Sequence, residues 1–161
     1  MNSAFIKTRT VTVKKADVYF DIDMLSLDYS RMAVDDIQKG DTLSTETATE
    51  NGRRIIKRLC DHAAGEIRTL LEKFIDDTTS ATTADNTLAD TNWVFTLMLP
   101  TEAPDNILAP LADHCHQFIV NGALAEWYAH LGQSGNRESL QMRCNEAKER
   151  IRQLIYFRPQ P

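Results

Sequence analysis

Residues 118–128 have the sequence Phe118-Ile119-Val120-Asn121-Gly122-Ala123-Leu124-Ala125-Glu126-Trp127-Tyr128. In this stretch small residues recur at helical spacing between bulky ones, which is typical of a helix packed closely against a neighbour. Pro104 or Pro110 suits the first turn of this helix, which is predicted to continue to His130. Gly132 follows and is expected to adopt the left-handed conformation that ends many helices.

A second helix is predicted from Leu140 to Phe157, after a turn that Gly135-Asn136 completes. The helix ends in the tail Arg158-Pro159-Gln160-Pro161, because prolines cannot continue a helix. Charged residues occupy the side of this helix opposite its predicted apolar face. Its predicted apolar face consists of Leu140, Cys144, Ala147, Ile151, Leu154 and Ile155.

The clearest helical pattern in the chain runs from about Thr47 to Asp77. Apolar residues recur there every three or four positions, while charged residues fall largely on the other side, so the pattern predicts an amphipathic helix that packs on the core. Thr45, Thr47 and Thr49 are the candidate N-caps. The apolar face consists of Ile55, Ile56, Leu59, Cys60, Ala63, Ile67, Leu70, Leu71, Phe74 and Ile75.

Two segments have the pattern of a β-strand. Lys7 to Lys15 alternates threonines with charged and β-branched residues, and Asn92 to Pro100 is an apolar and aromatic run bounded by turn-forming residues. Because a lone strand needs a partner, these segments predict either a two-stranded ribbon or an N-terminal arm that pairs with a neighbouring subunit.

The remaining segments are predicted to connect these elements. Ala16 to Met24 is expected to form a short helix, with Val18, Tyr19, Ile22 and Leu25 along one side. From Leu27 to Thr49 the periodicity weakens, which indicates a loop or a broken helix that contains Met32 to Ile37. Asp76 to Asp90 consists mostly of Thr, Asp, Ala and Ser and is predicted to be a mobile loop.

The predicted fold is mainly α: a bundle of about four helices with a short two-stranded β element or an extended N-terminal arm. At 161 residues, with 42% apolar and 25% charged residues, the chain suits one domain with one core. Its predicted parts are a basic arm at 1–15, a helical core at 16–131 with a mobile loop at 76–91 and a strand at 92–99, a closing helix at 132–157 and a tail at 158–161.

The sequence predicts a protein made in the cytoplasm with no membrane partner. No run approaches the roughly 18 apolar residues of a membrane span, and the N-terminal apolar stretch is too short for a signal peptide. The three cysteines, Cys60, Cys115 and Cys144, are widely spaced and lie on the apolar faces of predicted helices. They are therefore predicted to be reduced core thiols and not to form a disulfide framework.

The net charge of −5 is unevenly distributed. Residues 1–15 carry four basic residues and no acid, whereas residues 16–50 carry nine acids against Arg31 and Lys39. These opposite charges can meet within one subunit, or between subunits if the N-terminal segment crosses to the next copy, or they can simply form a solvated surface.

No catalytic, cofactor-binding or metal-binding residue is predicted. His114 and His116 flank Cys115, but residues two apart on a helix point about 200° from each other, so the histidines cannot share an ion. The cysteines lie where packing requires them, with no basic cluster to activate a thiolate. The pairs of neighbouring aspartates lack the frame of a calcium loop, and no phosphate loop, nucleophile elbow or dinucleotide fingerprint is present.

Two basic clusters are candidates for contact with nucleic acid. Arg53-Arg54-x-x-Lys57-Arg58 is one, and the C-terminal arginines and lysines from Arg143 to Arg158 form the other. Both are interleaved with acids, and the chain is acidic overall, so an ordinary solvated or subunit-facing surface is the preferred interpretation.

The chain resembles small helical proteins of phage and prophage structural modules in Bacteroides-type bacteria. The resemblance is carried by Val13-Lys14-Lys15-Ala16-Asp17-Val18-Tyr19, by residues 118–128 and by Leu154-Ile155-Tyr156-Phe157-Arg158-Pro159. It is a similarity of layout to the head-to-tail connector, or neck adaptor, proteins of tailed phages: a short entry helix, a long helix, a loop with an extended element, two closing helices and an arginine-proline tail.

The resemblance implies a non-enzymatic virion protein, made in the host cytoplasm, that assembles into a ring and joins the portal to tail or neck proteins. Passive contact with DNA in the channel would accompany this role. The resemblance also suggests which residues make subunit or partner contacts. These are Lys7, Arg9, Lys14 and Lys15 in the arm, Trp93 and Phe95 in the extended element, and Tyr156, Phe157 and Arg158 in a docking tail.

Two other classes of function remain open from the sequence. One is a small cytosolic regulator or DNA-binding adaptor, whose binding to duplex DNA would be sensitive to salt. The other is a thiol or metal enzyme, in which Cys115 would react with alkylating reagents in the folded state.

Overall fold

A computed structural model of the protein describes residues 5–32, 49–75, 91–132 and 134–156. These residues form a mainly α domain in which four helices accompany a two-stranded antiparallel sheet, as the sequence predicts. The elements in chain order are β1 (Ile6–Lys14), α1 (Lys15–Met32), α2 (Glu50–Leu70), β2 (Asn92–Pro100), α3 (Leu108–His130) and α4 (Ser134–Ile155), with short 3₁₀ helices at Glu72–Phe74 and Asp105–Ile107.

The two strand candidates pair with each other within the chain. β1 runs antiparallel to β2 in an unbroken register that places Ile6 opposite Pro100 and Thr10 opposite Thr96. The alternation along β1 buries Val11 and Val13 and leaves the intervening threonines exposed. Of the two arrangements that the sequence allows, the ribbon is therefore the one formed. Its buried side also includes Trp93, Phe95, Leu97 and Leu99 of β2.

Helix α3 lies at the centre of the domain and packs against α4, α2, β1 and α1. Most of its residues are apolar, so nearly its whole circumference can be buried. The close packing predicted for residues 118–128 is present at Gly122. A methyl group at that position would lie 3.4 Å from Cys144 Sγ on α4 and 3.8 Å from Ala63 Cβ on α2.

The helix boundaries differ from the predicted ones in α1 and α2. Helix α1 continues to Met32, so the loop or broken helix predicted from Leu27 is helical over its first residues, because no Gly or Pro interrupts the segment. Helix α2 begins after Thr49, whose side chain accepts a hydrogen bond from the Gly52 N–H at 3.0 Å. The helix ends at Leu70 and not near Asp77, since the chain turns there and Ile75 forms a bridge with Leu97 of β2.

Helix α3 begins between the two prolines predicted for its first turn, and helix α4 begins before Leu140, its predicted start. Helix α3 follows a 3₁₀ turn, so Pro110 and not Pro104 lies in its first turn, where a missing N–H costs nothing. Gly132 has φ +77, as its predicted left-handed role requires. Helix α4 begins at Ser134, and Gly135-Asn136 therefore lies within the helix; its placement in the turn is a wrong prediction. Only residues 131–133 lie between α3 and α4.

Several predictions lie outside the described residues. They are the helical piece from Met32 to Ile37 beyond its first residue, the loop at 76–90, and the tail from Phe157 to Pro161.

Two helical glycines, Gly122 at a helix contact and Gly65 in open space, allow a test of this packing. Gly122→Leu is expected to lower the free energy of unfolding by about 3 kcal/mol, because the larger side chain must displace Cys144 and Ala63. The same substitution at Gly65 is the matched control. No heavy atom lies within 4 Å of a methyl group there, so Gly65→Leu is expected to raise the free energy of unfolding by about 0.5–1 kcal/mol through helix propensity. Urea denaturation measures both, and equal effects would contradict the close packing at Gly122.

Candidate interaction surface

The first two basic residues of β1 make ion pairs within the chain. Lys7 Nζ donates a hydrogen bond to the Ala103 carbonyl at 2.5 Å and lies 2.9 Å from Asp105 Oδ1. Arg9 Nε donates to the same carboxylate at 2.8 Å. Asp105 occupies the first turn of the 3₁₀ helix that follows β2, so these contacts fasten the start of β1 to the turn at the far end of its partner strand.

These contacts change the acidity of the carboxylate. Hydrogen bonds from Arg9 and then Lys7 lower the pKa of Asp105 to about 2. Because Asp105 is largely exposed, solvent screens the pairs, and their main role is to fix the position of the turn.

Lys15 and Trp93 lie together in a cluster inside the domain. Lys15 is buried, and its Nζ lies 5.2 Å from the centre of the Trp93 ring and 3.9 Å from Asp61 Oδ1. Trp93 Nε1 donates to the same oxygen of Asp61 at 3.0 Å. Tyr19 completes the cluster with an edge-on contact to the Trp93 ring. The cation therefore has a carboxylate and an aromatic face as partners within its own chain.

The predicted contact residues thus fall into three groups. Lys7, Arg9, Lys15, Trp93 and Phe95 make contacts within the domain, and the last two are buried. The exposed ones are Lys14 and Tyr156, whose ring packs edge-on against Phe74 with 5.5 Å between ring centres. Phe157 and Arg158 lie outside the described residues.

An exposed apolar stripe on α1 is absent from the sequence predictions. Phe20, Met24 and Leu27 are 63%, 45% and 41% exposed and follow each other at four- and three-residue spacing along one side of the helix. A different set, Val18 and Ile22, faces the core. In the sequence, Phe20, Met24 and Leu27 form a second set of apolar residues at helical spacing, on a different side of the helix from Val18 and Ile22. This second set was the signal for the exposed stripe. We call Phe20, Met24 and Leu27 the α1 stripe.

An open groove of about 440 Å³ lies beside the α1 stripe. We call it the acidic groove, because three carboxylates line it against one lysine and one histidine. His116 Nε2 and Asp21 Oδ2 are 2.5 Å apart within it and link α3 to α1. The lining residues are Thr12, Val13 and Lys14 of β1, Asp17, Phe20 and Asp21 of α1, and Ala112, Asp113 and His116 of α3.

A second groove of about 460 Å³ runs between α3 and α4. Two arginines and one glutamate line it, so we call it the basic groove. Its charged residues are Arg143, Glu146 and Arg150, and its other lining residues are His114, Gln117, Asn121 and Ala147. The exposed side of α3 separates the two grooves. The domain therefore presents an acidic surface and a basic surface on the two sides of one helix.

The thiols of the described residues are buried and not poised for chemistry. Burial raises the pKa of Cys60 and of Cys115 to about 12, and of Cys144 to about 11. All three are reduced, as the sequence predicts. Within the part of the chain that the structure describes, no group of three or more His, Cys, Asp or Glu side chains could hold a metal ion.

In comparisons with known proteins, no family model, no curated protein and no solved structure matches the chain. Of the helices in the described ranges, none has the length and apolar character needed to cross a membrane.

The Asp105 pairs predict a pH-dependent stability difference. The folded-state pKa of about 2 lies below the usual value, so the stabilisation is present above about pH 4 and is lost as the pH falls towards 2. Asp105→Asn is therefore expected to lower the melting temperature at neutral pH, and the difference from wild type should shrink over that range. Glu102→Gln, in the same exposed turn, is the control and should show no such difference. A difference that is independent of pH would contradict the role of the carboxylate charge.

The buried thiols predict slow alkylation. Reagents attack the thiolate, so the raised pKa values and the burial should make the native protein react at least about a hundredfold more slowly at pH 8 than the urea-unfolded protein. Mass spectrometry after timed exposure to iodoacetamide measures the modification of each cysteine. Rapid modification of Cys115 in the folded protein would instead favour a thiol enzyme.

Proposed function

We propose that this protein is a non-enzymatic structural virion protein: a ring-forming head-to-tail connector, or neck adaptor, that joins the portal of a tailed phage or prophage to its tail. In this proposal the protein is made in the host cytoplasm and resides in the neck of the virion. Its partners are further copies of itself and the portal and tail or neck proteins, with passive contact to DNA in the channel.

The observation that carries the proposal is the α1 stripe. Three large apolar side chains lie in a row on one helix, next to a groove, and are not used in the core. Apolar side chains grouped in this way favour contact with another protein, whereas single exposed ones do not need an explanation. A subunit whose task is assembly needs such a surface.

The distribution of charge supports contact between successive copies. The acidic groove and the basic groove use different residues on different sides of α3, so one surface of a copy can meet the other surface of the next. Such a heterologous contact produces a ring when the rotation between copies closes. Charge complementarity across the contact would also fix the orientation of each copy.

The most reactive side chains have structural roles that fit a protein without catalytic activity. The thiols lie in the core. Lys15 is held by Trp93 and Asp61, and the carboxylate of Asp105 accepts hydrogen bonds from Lys7 and Arg9.

The alternative is a small DNA-binding or regulatory adaptor, which Arg143 and Arg150 in the basic groove favour. The other basic cluster lends it less support. Arg54 pairs with Glu50 at 3.0 Å, Arg53 lies 3.8 Å from Asp23, and Lys57 lies over the Tyr19 ring. A chain with net charge −5 is also repelled by phosphates.

The solution mass tests the proposal. Light scattering across protein concentration and salt, with negative-stain microscopy of the largest species, is expected to detect rings at high concentration. A Phe20→Glu/Met24→Glu double variant is expected to form none, because it places charges in the α1 stripe. Met142→Glu is the control: Met142 is 66% exposed on α4, outside the stripe and both grooves, and its substitution should leave ring formation unchanged.

Two results would contradict the connector proposal. One is a wild-type protein that never exceeds a dimer at any concentration or salt. The other is salt-sensitive binding to duplex DNA that Arg143→Glu/Arg150→Glu abolishes, which would favour the adaptor.

A further inference from the structure

The outer edge of β1 has a row of backbone groups that do not pair with β2. Lys15 N donates to the Thr91 carbonyl at 3.0 Å, and Thr101 N donates to the Phe5 carbonyl at 2.9 Å, both in the register of the ribbon. Odd-numbered residues of β1 therefore form the hydrogen-bonded pairs with β2. Because the residues of an antiparallel strand alternate in this respect, the even-numbered residues direct their N–H and C=O groups outward.

This edge has the features of a strand that can accept another. The outward groups belong to Ile6, Thr8, Thr10, Thr12 and Lys14, and among them only the Thr8 carbonyl accepts a hydrogen bond within the described residues, from Arg9 Nη1 at 3.2 Å. β1 contains no proline or glycine, and its register with β2 has no bulge. A strand edge that lacks prolines, glycines and bulges can serve as a template for pairing with another strand.

We propose that two copies of this protein pair through β1, antiparallel, with Thr10 of each copy opposite Thr10 of the other. The two ribbons then form one four-stranded sheet in the order β2, β1, β1, β2. Thr8 of each copy lies opposite Thr12 of the other, which gives cross-strand threonine pairs on the exposed face. The contact is isologous and closes after two copies.

The charges of β1 select this register. With Thr10 at the two-fold axis, Arg9 lies opposite Val11 and Lys7 opposite Val13 of the second copy, so no like charges meet. A shift of the second strand by two residues in one direction places Arg9 opposite Arg9. The same shift in the other direction places Lys7 opposite Lys15. Like charges directly opposite each other destabilise a strand pair.

Charge also disfavours the parallel alternative. In a parallel pair that aligns the two strands in register, Lys7, Arg9 and Lys14 would each lie beside the same residue of the second copy.

The proposed register also covers exposed aromatic residues. Phe5 is 65% exposed and, as an odd-numbered residue, lies on the same side of the sheet as Val11 and Val13, the side that the helices cover. In the pair, Phe5 of the second copy lies opposite Lys15, at the end of β1 where the acidic groove begins. Phe20, 63% exposed, lines that groove. Each end of the contact therefore brings one Phe5 close to one Phe20.

The pairing goes beyond the connector proposal and does not depend on it. A two-fold dimer is closed, whereas a ring that joins a portal to a tail needs head-to-tail contacts. Because the dimer brings Phe5 of each copy against Phe20 in the acidic groove of the other, it competes with ring assembly and would be the form of the protein before assembly.

Cysteine cross-linking tests the register. Thr10→Cys is expected to form a disulfide-linked dimer under mild oxidation, because Cα atoms of a hydrogen-bonded antiparallel pair are about 5.5 Å apart. Thr8→Cys alone should cross-link poorly, since its two copies lie about 14 Å apart, but a mixture of Thr8→Cys and Thr12→Cys should cross-link well. Met142→Cys is the control for random collision, and the native cysteines are buried.

Charge substitutions test the same contact without cross-linking. Thr10→Lys and Thr10→Asp each place like charges at the axis, so each is expected to be monomeric by light scattering at concentrations where the wild type dimerises. An equimolar mixture of the two should dimerise again. Thr10 is exposed, so circular dichroism should show the wild-type fold in both variants.

The outcomes separate this inference from the connector proposal. Thr10→Cys that cross-links no better than Met142→Cys, or a mixture of Thr10→Lys and Thr10→Asp that stays monomeric, overturns the β1 pairing even if the wild type forms rings. Cross-linking at Thr10 in a protein that never forms rings supports the pairing and overturns the connector. If both proposals hold, Thr10→Lys forms rings at a lower protein concentration than the wild type.

Discussion

The packing of α3 against its neighbours is the constraint on which the rest of the structure depends. Its buried residues face α4, α2, β1 and α1, and each large side chain removed from water contributes about 1.5–3 kcal/mol. At Gly122, where α3 meets α4 and α2, a methyl group would lie 3.4 Å from Cys144 Sγ and 3.8 Å from Ala63 Cβ, so little more than a methyl group fits there. Only one side of α3 is left uncovered, and the acidic groove and the basic groove flank it on its two edges. The candidate interaction surface is therefore a consequence of how the core is enclosed.

Most of the basic side chains in and next to β1 have partners within the chain and so contribute little to the surface that another molecule could bind. Lys7 and Arg9 meet at Asp105, and Lys15 is buried against Trp93 and Asp61. These contacts attach both ends of β1 to the rest of the domain. What β1 can offer to another molecule is its backbone, because most of its cations already have partners.

Symmetry connects the two proposals. Different surfaces on the two sides of α3 suit a head-to-tail contact, which is open to further copies, while the edge of β1 matches itself and suits a closed pair. Both contacts use the region around Phe20, so the same apolar surface would be covered in either state. A protein that assembles only at the right place benefits from a closed form that hides this surface, since exposed apolar patches otherwise lead to uncontrolled association.

The sequence determined the helical bundle, the three buried thiols and the two strands, because hydrophobic periodicity and turn-forming residues are visible in short stretches of sequence. It also contained the reason for the position of α3, in the small residues around Gly122. Only the tertiary structure decided that Lys7, Arg9 and Lys15 have partners within the chain, since Asp105 and Asp61 are distant in sequence and meet them through the register of β1 and β2 and the packing of α2. The sequence placed Val18 and Ile22 along one side of α1, and both are buried. Only the tertiary structure decided that Phe20, Met24 and Leu27 stay exposed, because their exposure depends on which sides of α1 meet the other elements.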